Sequence, residues 1–346
     1  MRILYALIAL IGLAAAGVVL SLPKRAEQNL APPRSTYTAG PQATRVSPAP
    51  ATPELIPGET TPGQADTQTT ITSSPMPEST PQQPVPQSLQ PTPNLRINPE
   101  VTWNLIFGDD FNNNHLDLNK WVTCYWWDNQ GCTNKGNHEL EWYLPANIVF
   151  DQNTLLLEAR KQSVVGSDGV TYPYTSGMVT TGRDTSNQKQ PPKFAFQYGF
   201  AEIRAKVPSG KGLWPAFWML PADNSAVPEI DVMEVIGDHP NVVNVTIHHT
   251  LNDGRTVKNS QELISPTDLS KDWHTYAVDW EPGSVTWYLD GVAGWQLTDP
   301  ALIPSTPMYL LLNLAVGGDW PGDPNAQTPF PSAFAIDYVR VWHKAG

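Results

Sequence analysis

The chain has 346 residues and a formal net charge of −12, from 33 acidic and 21 basic side chains. Nucleic acids and anionic lipids require clustered Lys and Arg, so this balance argues against both partners and is compatible with a neutral substrate. Residues 1–99 hold 17 of the 35 prolines, more than twice the proline frequency of the rest of the chain. The remainder, about 245 residues, has a length that suits one all-β domain.

The first segment, residues 1–22, is a continuous apolar run in which Arg2 is the only charged residue. Its length fits one membrane crossing, and Ala14, Ala15 and Ala16 offer small residues for cleavage. We therefore expect either a signal peptide or an uncleaved anchor that contacts the membrane through residues 3–22. Both alternatives predict an extracellular protein, secreted or attached to the cell surface.

The second segment, residues 23–98, is rich in Pro, Thr, Ser and Gln and has few large apolar residues. Such a composition cannot bury enough apolar surface to offset the entropy of ordering the chain. Proline keeps a disordered chain extended and semi-stiff. We predict a disordered linker that separates the N-terminal segment from a folded domain at residues 99–346.

The composition and the hydrophobic pattern change from Val101 onward, where short alternating apolar runs replace the proline-rich sequence. In SVTWYLDGV, Val285, Trp287 and Leu289 fall on one face of a strand, and Asp290–Gly291 supplies a two-residue hairpin turn. Similar runs are NTLLLEAR, YGFAEIRAKV, PMYLLLNLAV and FAIDYVRVW. Many short strands without amphipathic helices predict an all-β fold, a sandwich of the jelly-roll kind.

Two cysteines, Cys124 and Cys132, lie close together in CYWWDNQGC. Their spacing is not that of a zinc site. In an oxidising compartment the pair can form a disulfide that closes a short loop.

The segment PEIDVMEVIG, residues 228–237, carries three acidic residues. Side chains alternate along a strand, so Glu229 and Asp231 share a face while Glu234, five positions after Glu229, points to the other. One extra residue at Val232 or Met233 forms a β-bulge that returns Glu234 to the first face. We therefore predict a bulged strand with all three carboxylates on one side.

Three carboxylates on one strand face repel one another, and folding alone gives no reason to collect them. Retaining glycoside hydrolysis does, because it needs two carboxyl groups about 5–5.5 Å apart across the scissile bond. Asp231, between the two glutamates, can help to keep one of them protonated. A solvated acidic edge and a calcium site are the alternatives, and the interleaved apolar residues favour a central strand.

The hexapeptide EIDVME resembles the ExDxxE signature of glycoside hydrolase family 16 in the bulged form of the laminarinases. The similarity continues in the family's order over most of residues 101–346. The further segments are TSGMVTT, YGFAEIRAKVPSGKGLWPAFWMLP, DWHTYAVDWEPGSVTWYLDG, LNLAVGGDWPG and IDYVRVW. The resemblance implies two curved antiparallel sheets whose concave face forms an open substrate cleft. It also implies that Glu229 is the nucleophile, Asp231 a supporting residue and Glu234 the general acid/base.

Aromatic and polar residues suitable for a sugar cleft accompany this signature. Flat aromatic faces pack against sugar rings, and Trp214, Trp218 and Trp320 lie in GLWPAFWML and GGDWPG. His248 and Asn313 are similar in position to cleft residues of the family. Glu139 and Trp142, in NHELEWY, resemble a cleft-edge segment.

Two further acids, Asp110 in FGDDF and Asp337 in the last strand, resemble positions where family members hold a structural calcium ion. That ion is the one metal the resemblance implies, and catalysis needs no cofactor. The chain departs from the laminarinase pattern at Val227 and Pro228, where those enzymes commonly have Trp and Gly.

The sequence therefore predicts a retaining endo-glycosidase that acts on β-1,3- or mixed β-1,3/1,4-glucan as a monomer. Within the same fold, agarase, carrageenase or transglycosylase activity are alternatives. A non-catalytic carbohydrate-binding jelly roll is another, but it has no need of the three carboxylates. A stalked structural surface protein accounts for residues 1–98 and leaves the acidic segment unexplained.

Overall fold

The computed structural model describes residues 101–127, 131–184, 189–251 and 254–345. The predicted N-terminal targeting segment and the linker lie outside these described residues. None of the helices within the described ranges is long and apolar enough to span a membrane.

Two antiparallel sheets make up the body of the domain, with strands numbered in chain order. The six-stranded sheet has the order β13-β12-β11-β10-β17-β8. Its strands are β8 (Met178–Thr180), β10 (Leu213–Pro221), β11 (Glu229–Glu234), β12 (Val242–Thr250), β13 (Thr256–Ile264) and β17 (Met308–Val316).

The eight-stranded sheet has the order β16-β15-β14-β9-β18-β4-β3, with β1 also paired to β18. Its strands are β1 (Trp103–Asp109), β3 (Ile148–Asp151), β4 (Thr154–Ala159), β9 (Gly199–Lys206), β14 (His274–Glu281), β15 (Ser284–Leu289), β16 (Val292–Leu297) and β18 (Ser332–Lys344). The sheets confirm the predicted all-β jelly-roll sandwich.

Smaller elements complete the described chain. Strands β2 (Glu141–Tyr143) and β7 (Tyr174–Ser176) pair in parallel, and β5 (Val164–Val165) pairs with β6 (Thr171–Tyr172). Two single-turn 3₁₀ helices span Lys135–Asn137 and Pro145–Asn147. Of these elements, the 3₁₀ helix Lys135–Asn137 supplies Asn137 to the cleft described below.

The core fills the space between the inner faces of the two sheets. Phe217 and Met219 of β10 and Ile230 of β11 are fully buried and belong to one apolar cluster with residues of the facing sheet. Trp287 of the facing sheet donates its indole N–H to the backbone carbonyl of Asp231, at 2.9 Å. The core therefore fixes the backbone of β11 directly beneath the acidic residues.

The predicted hairpin joins β15 to β16. Leu289 pairs with Val292, and Asp290 and Gly291 both have positive φ angles, 51° and 72°. Positive φ at both central residues is what a two-residue turn of this twist requires, and Gly adopts it without steric cost. The turn prediction is confirmed.

Candidate active site

The acidic segment forms β11, in the middle of the six-stranded sheet. Phe217 pairs with Met233 and Trp218 pairs with Asp231, so Val232 has no partner on β10. The pairing with β12 shifts at the same place. Val232 is therefore the extra residue of a β-bulge, one of the two predicted positions, and the register of Glu234 changes as predicted.

The three acidic side chains line one cleft and differ in their partners. Asp231 is 3% exposed. The Nε2 atom of His248 lies 3.2 Å from Asp231 Oδ2 and 3.6 Å from Glu229 Oε1. Glu234 accepts a hydrogen bond from the indole N–H of Trp214 at 3.1 Å. The cluster thus has a histidine beside Glu229 and Asp231 and a neutral donor on Glu234.

Electrostatics in this cluster favour the protonated form of its glutamates. Burial raises the pKa of Glu229 well above its usual range, and the charges of Asp231 and Glu234 raise it further. Burial and Asp231 likewise raise the pKa of Glu234, against a smaller lowering by the Trp214 hydrogen bond. Ionising all the neighbouring carboxyls would bring negative charges close together, and their repulsion opposes this. The cluster therefore keeps a proton at pH values where isolated glutamates are ionised.

The cleft around this cluster has a volume of about 450 Å³. Its lining joins aromatic rings, carboxyls and amides, the groups that pack on sugar rings and hydrogen-bond hydroxyls. The aromatic and acidic members are Tyr125, Trp126, Trp127, Trp214, Trp218, Glu139, Glu229, Asp231 and Glu234. The amide and hydroxyl members are Asn134, Asn137, Asn224, Ser225 and Asn313.

Aromatic rings at two places in the cleft come from different parts of the chain. Trp214 of β10 meets Trp320 edge to face, with ring centroids 5.3 Å apart, and Trp320 is 48% exposed. Trp218, also of β10, lies 6.2 Å from Trp127, which stacks on Tyr125 at 4.3 Å. Each group presents a large apolar surface beside polar side chains, as sugar binding requires.

A hydrogen-bond chain runs from the aromatic lining into the protein. The indole N–H of Trp218 donates to Asn313 Oδ1 at 2.8 Å, and Asn313 Nδ2 donates to the Tyr143 hydroxyl at 3.1 Å. Asn313 and Tyr143 are both buried. The orientation of the Trp218 ring is therefore fixed by polar groups as well as by packing.

Comparison with known proteins also points to a glycoside hydrolase. The model of the glycosyl hydrolases family 16 matches residues 136–340. An endo-1,3-1,4-β-glycanase of Rhizobium meliloti is 33% identical over 68% of this chain and 51% of the relative. A β-glucanase of Rhodothermus marinus is 34% identical over 69% of this chain and 85% of the relative. The chain belongs to glycoside hydrolase family 16.

A solved structure shares the architecture of this family 16 chain. The endo-β-1,3-glucanase from Pyrococcus furiosus is 32% identical, covers 72% of this chain and 100% of its own, and superposes with a TM-score of 0.61. The first of the sequence relatives is longer, since this chain spans only 51% of its length.

Most residues predicted for the family 16 cleft lie in it or beside it. Trp214, Trp218, Asn313 and Glu139 are part of the lining. His248 reaches the cluster from β12, where it pairs with Glu229. Trp320 lies against Trp214 at the cleft edge.

The prediction that Trp142 lies at the cleft edge is wrong. It is 5% exposed, is not part of the cleft lining, and packs against Tyr172 with ring centroids 5.2 Å apart. In β2, Glu141 and Tyr143 flank it, and the Tyr143 hydroxyl takes part in the hydrogen-bond chain under the cleft. Strand alternation turns the indole ring away from that side. Trp142 therefore stabilises the domain behind the cleft wall.

The predicted calcium ligands also require a correction. Asp110 pairs with Arg340 at 2.8 Å, and Asp337 pairs with Arg204 at 2.7 Å. Each carboxylate is thus neutralised by a guanidinium, which does not fit a donor set for a hard cation. Among the described residues, the group of three whose ligand atoms lie within 4.8 Å of one another is Glu229, Asp231 and His248, in the cleft itself.

The disulfide loop supplies cleft residues that sequence reasoning did not identify. Cys124 and Cys132 form a disulfide with Cα atoms 4.8 Å apart. Between them, Tyr125, Trp126 and Trp127 line the cleft. Three consecutive aromatic residues inside a closed loop were the available signal, because a short loop cannot bury all three in a core of its own.

Proposed function

We propose that this protein is a retaining endo-glycosidase that hydrolyses β-1,3-linked or mixed β-1,3/1,4-linked glucan. The observation that carries the proposal is the bulge at Val232, beside which Glu229 and Glu234 line the same cleft. Two carboxyls of one strand, directed to one cleft, suit direct attack by one of them while the other transfers a proton. The names of the relatives from Rhizobium meliloti and Rhodothermus marinus agree with a β-glucan substrate.

The proposed reaction is a double displacement. In the first step, a carboxylate oxygen of Glu229 forms a bond to the anomeric carbon while the glycosidic bond breaks and Glu234 gives its proton to the leaving oxygen. In the second step, Glu234 takes a proton from water, and the water oxygen replaces Glu229 at the same carbon. The two inversions restore the β-anomer, and both carboxyls return to their starting states.

The two carboxyls are prepared for different roles by their neighbours. The Nε2 atom of His248 lies near carboxylate oxygens of Glu229 and Asp231 and can donate a hydrogen bond there. The Trp214 indole binds one oxygen of Glu234 and leaves the other free to carry the transferable proton. These contacts support Glu229 as nucleophile and Glu234 as acid/base.

Stereochemistry tests this mechanism directly. NMR of the first product released from laminarin should show the β-anomer. Glu229→Ala should be almost inactive, and azide should restore cleavage with formation of an α-glycosyl azide, because azide then attacks from the face that Glu229 leaves empty. A first-formed α-anomer from the unmodified enzyme would mean inversion and would rule out Glu229 as nucleophile.

The substrate is tested separately from the mechanism. We expect early release of short oligosaccharides from laminarin and lichenan, because an open cleft cuts internal bonds. A parallel digest of agarose and carrageenan is the control. Degradation of agarose or carrageenan without degradation of either β-glucan would contradict the substrate assignment while leaving the two-carboxyl mechanism intact.

We further propose that the protein is exported and that residues 23–98 form a stalk. The catalytic domain would then act outside the cell as a monomer. The support is the apolar run of residues 1–22 followed by a proline-rich segment. Deleting residues 1–22 should leave the protein in the cytoplasmic fraction. Unchanged localisation after the deletion would contradict export by this segment.

A further inference from the structure

Beside the catalytic cluster, the structure holds a second pair of acids, Glu139 and Glu141. Glu139 is 7% exposed and lines the cleft, and Glu141 is fully buried in β2. Their carboxyl groups lie within hydrogen-bonding reach of each other. Two buried carboxyls in contact are costly unless their hydrogen bonds are complete, so the pair needs a physical explanation.

The hydrogen bonds of the pair leave one oxygen on each side without a donor. Asn137 Nδ2 donates to Glu139 Oε1 at 3.0 Å, and the backbone N–H of Val316 donates to Glu141 Oε2 at 2.7 Å. Glu139 Oε2 and Glu141 Oε1 are buried and have no partner. Ionised carboxylates only accept, so two of them cannot satisfy each other. One proton between these two oxygens satisfies both.

The surroundings decide which acid holds the proton. Glu139 receives the Asn137 amide and has the Tyr143 hydroxyl within bonding reach, so its negative charge is solvated by donors. Glu141 accepts only from backbone N–H groups, those of Val316 and of Glu141 itself, and has no exposure. We propose that Glu141 is a neutral carboxylic acid that donates a hydrogen bond to an ionised Glu139, and that it acts as a positioning residue for the cleft.

This arrangement completes the chain of hydrogen bonds beneath the cleft. Trp218 donates to Asn313, and Asn313 donates to Tyr143, whose own proton is then available to Glu139. Glu139 accepts from both sides, from Tyr143 and from Glu141. The neutral acid at 141 therefore holds Glu139 in place, and through it the chain that orients the Trp218 ring.

The electrostatics agree with the hydrogen-bond argument. Burial raises the pKa of Glu141 well above its usual range, and the charge of Glu139 raises it further. The titratable groups that face the pair are Tyr125 of the disulfide loop, Tyr143 of β2 and Glu234 of β11. The charge on Glu139 raises the pKa of Glu234, so the pair also contributes to keeping the proposed acid/base protonated.

The positioning role rests on the proposed function, and matched variants test it. Glu141→Gln keeps an uncharged side chain of the same shape with an N–H donor, and we expect kcat/KM on laminarin within about twofold of wild type. Glu141→Leu removes the donor and leaves a buried charge without its partner, and we expect at least about a tenfold loss. Glu262→Gln, on exposed β13, is the control for loss of an ordinary glutamate. Equal activity of the Gln and Leu variants, or equal damage in both, would overturn the proposal.

The charge state is tested without activity, so it can be decided even if no glucan is hydrolysed. Infrared difference spectra of wild type minus Glu141→Gln at neutral pH should show the band of a protonated carboxylic acid. The midpoint of thermal unfolding of Glu141→Gln relative to wild type should rise with pH above about 4.3, because the unfolded wild-type chain loses this proton earlier than the folded one. A carboxylate band instead, or a midpoint difference independent of pH as in Glu262→Gln, would show that Glu141 is ionised.

Discussion

Two groups of acids lie side by side in this molecule, and their environments differ. Glu229, Asp231 and Glu234 line the cleft on a bulged strand, beside His248 and Trp214. Glu139 and Glu141 are held by an amide and a backbone N–H, and Glu141 has no exposure. Glu229 and Glu234 of the first group line the cleft and can exchange protons with a substrate, whereas Glu141 of the second is enclosed.

This difference shows that a raised carboxyl pKa does not by itself identify a reacting group. Burial raises the pKa of Glu229, Glu234 and Glu141 alike. What separates them is access, because Glu229 and Glu234 line the cleft and Glu141 does not. Burial that prepares one acid for proton transfer keeps another neutral as a hydrogen-bond donor.

After the nearly complete loss expected for Glu229→Ala, the largest effect should follow from removing Glu234, the proposed acid/base. Glu234→Ala should lower kcat on laminarin about 10²- to 10⁴-fold, the usual contribution of general acid catalysis. It should spare aryl glucosides whose leaving group needs no proton, and added azide should then give the β-azide. Steady-state kinetics on both substrates check this. An equal loss on both would show that Glu234 does not transfer the proton.

Asp231→Asn should give a smaller loss together with a displaced pH profile. The Asp231 charge raises the pKa of Glu234, so its removal lowers that pKa. Glu234 must be protonated in the first step, so the alkaline limb of kcat/KM should move to lower pH. The profile is measured with laminarin across the pH range. A limb displaced to higher pH would contradict the electrostatic role, and an unchanged thermal midpoint checks that the fold is intact.

Sequence reasoning succeeded where one strand carried the information. Alternation plus one extra residue predicted Glu229, Asp231 and Glu234 on one side of the strand, because the pleat fixes side-chain direction. It was wrong for Trp142, which faces Tyr172, because a three-residue strand between irregular loops leaves little pattern to read.

Contacts between segments that are distant in the chain could not be predicted from the sequence. Asp110 and Asp337 are paired with Arg340 and Arg204, which lie far from them along the chain. The Glu139–Glu141 pair depends on the backbone of Val316, which only the folded chain brings to it. The order of residues within a single strand does not show which distant residues will contact it in the folded chain.

The disulfide loop allows substrate binding to be tested separately from the catalytic step. Trp127→Ala should raise KM on long glucans about tenfold, from the loss of an apolar platform, with little change in kcat. Trp142→Ala is the matched control, since its ring is buried outside the cleft and its loss should lower the thermal midpoint without raising KM. A higher KM for Trp142→Ala than for Trp127→Ala would reverse our assignment of the two residues.

The smallest effect on activity is expected at a third buried acid, Glu202 on β9. It is 2% exposed, accepts a hydrogen bond from the Tyr338 hydroxyl at 2.8 Å, and is not part of the cleft lining. Burial raises its pKa to about 7. Above about pH 4.3 this side chain ionises in the unfolded chain while folded Glu202 stays protonated. The contribution of Glu202 to wild-type stability therefore falls as pH rises and levels off above about 7.

Glu202→Gln removes that slope, because the amide has no proton to lose. Its thermal midpoint relative to wild type should therefore rise up to about pH 7 and stay constant beyond it, while kcat/KM at each pH remains within about twofold of wild type. The relative midpoint of Glu141→Gln should rise with pH in the same way. Of Glu141 and Glu202, only Glu141 should also lose activity when it is replaced by Leu. A shift in the pH profile of activity for Glu202→Gln would mean that burial alone, without access to the cleft, couples an acid to the reaction.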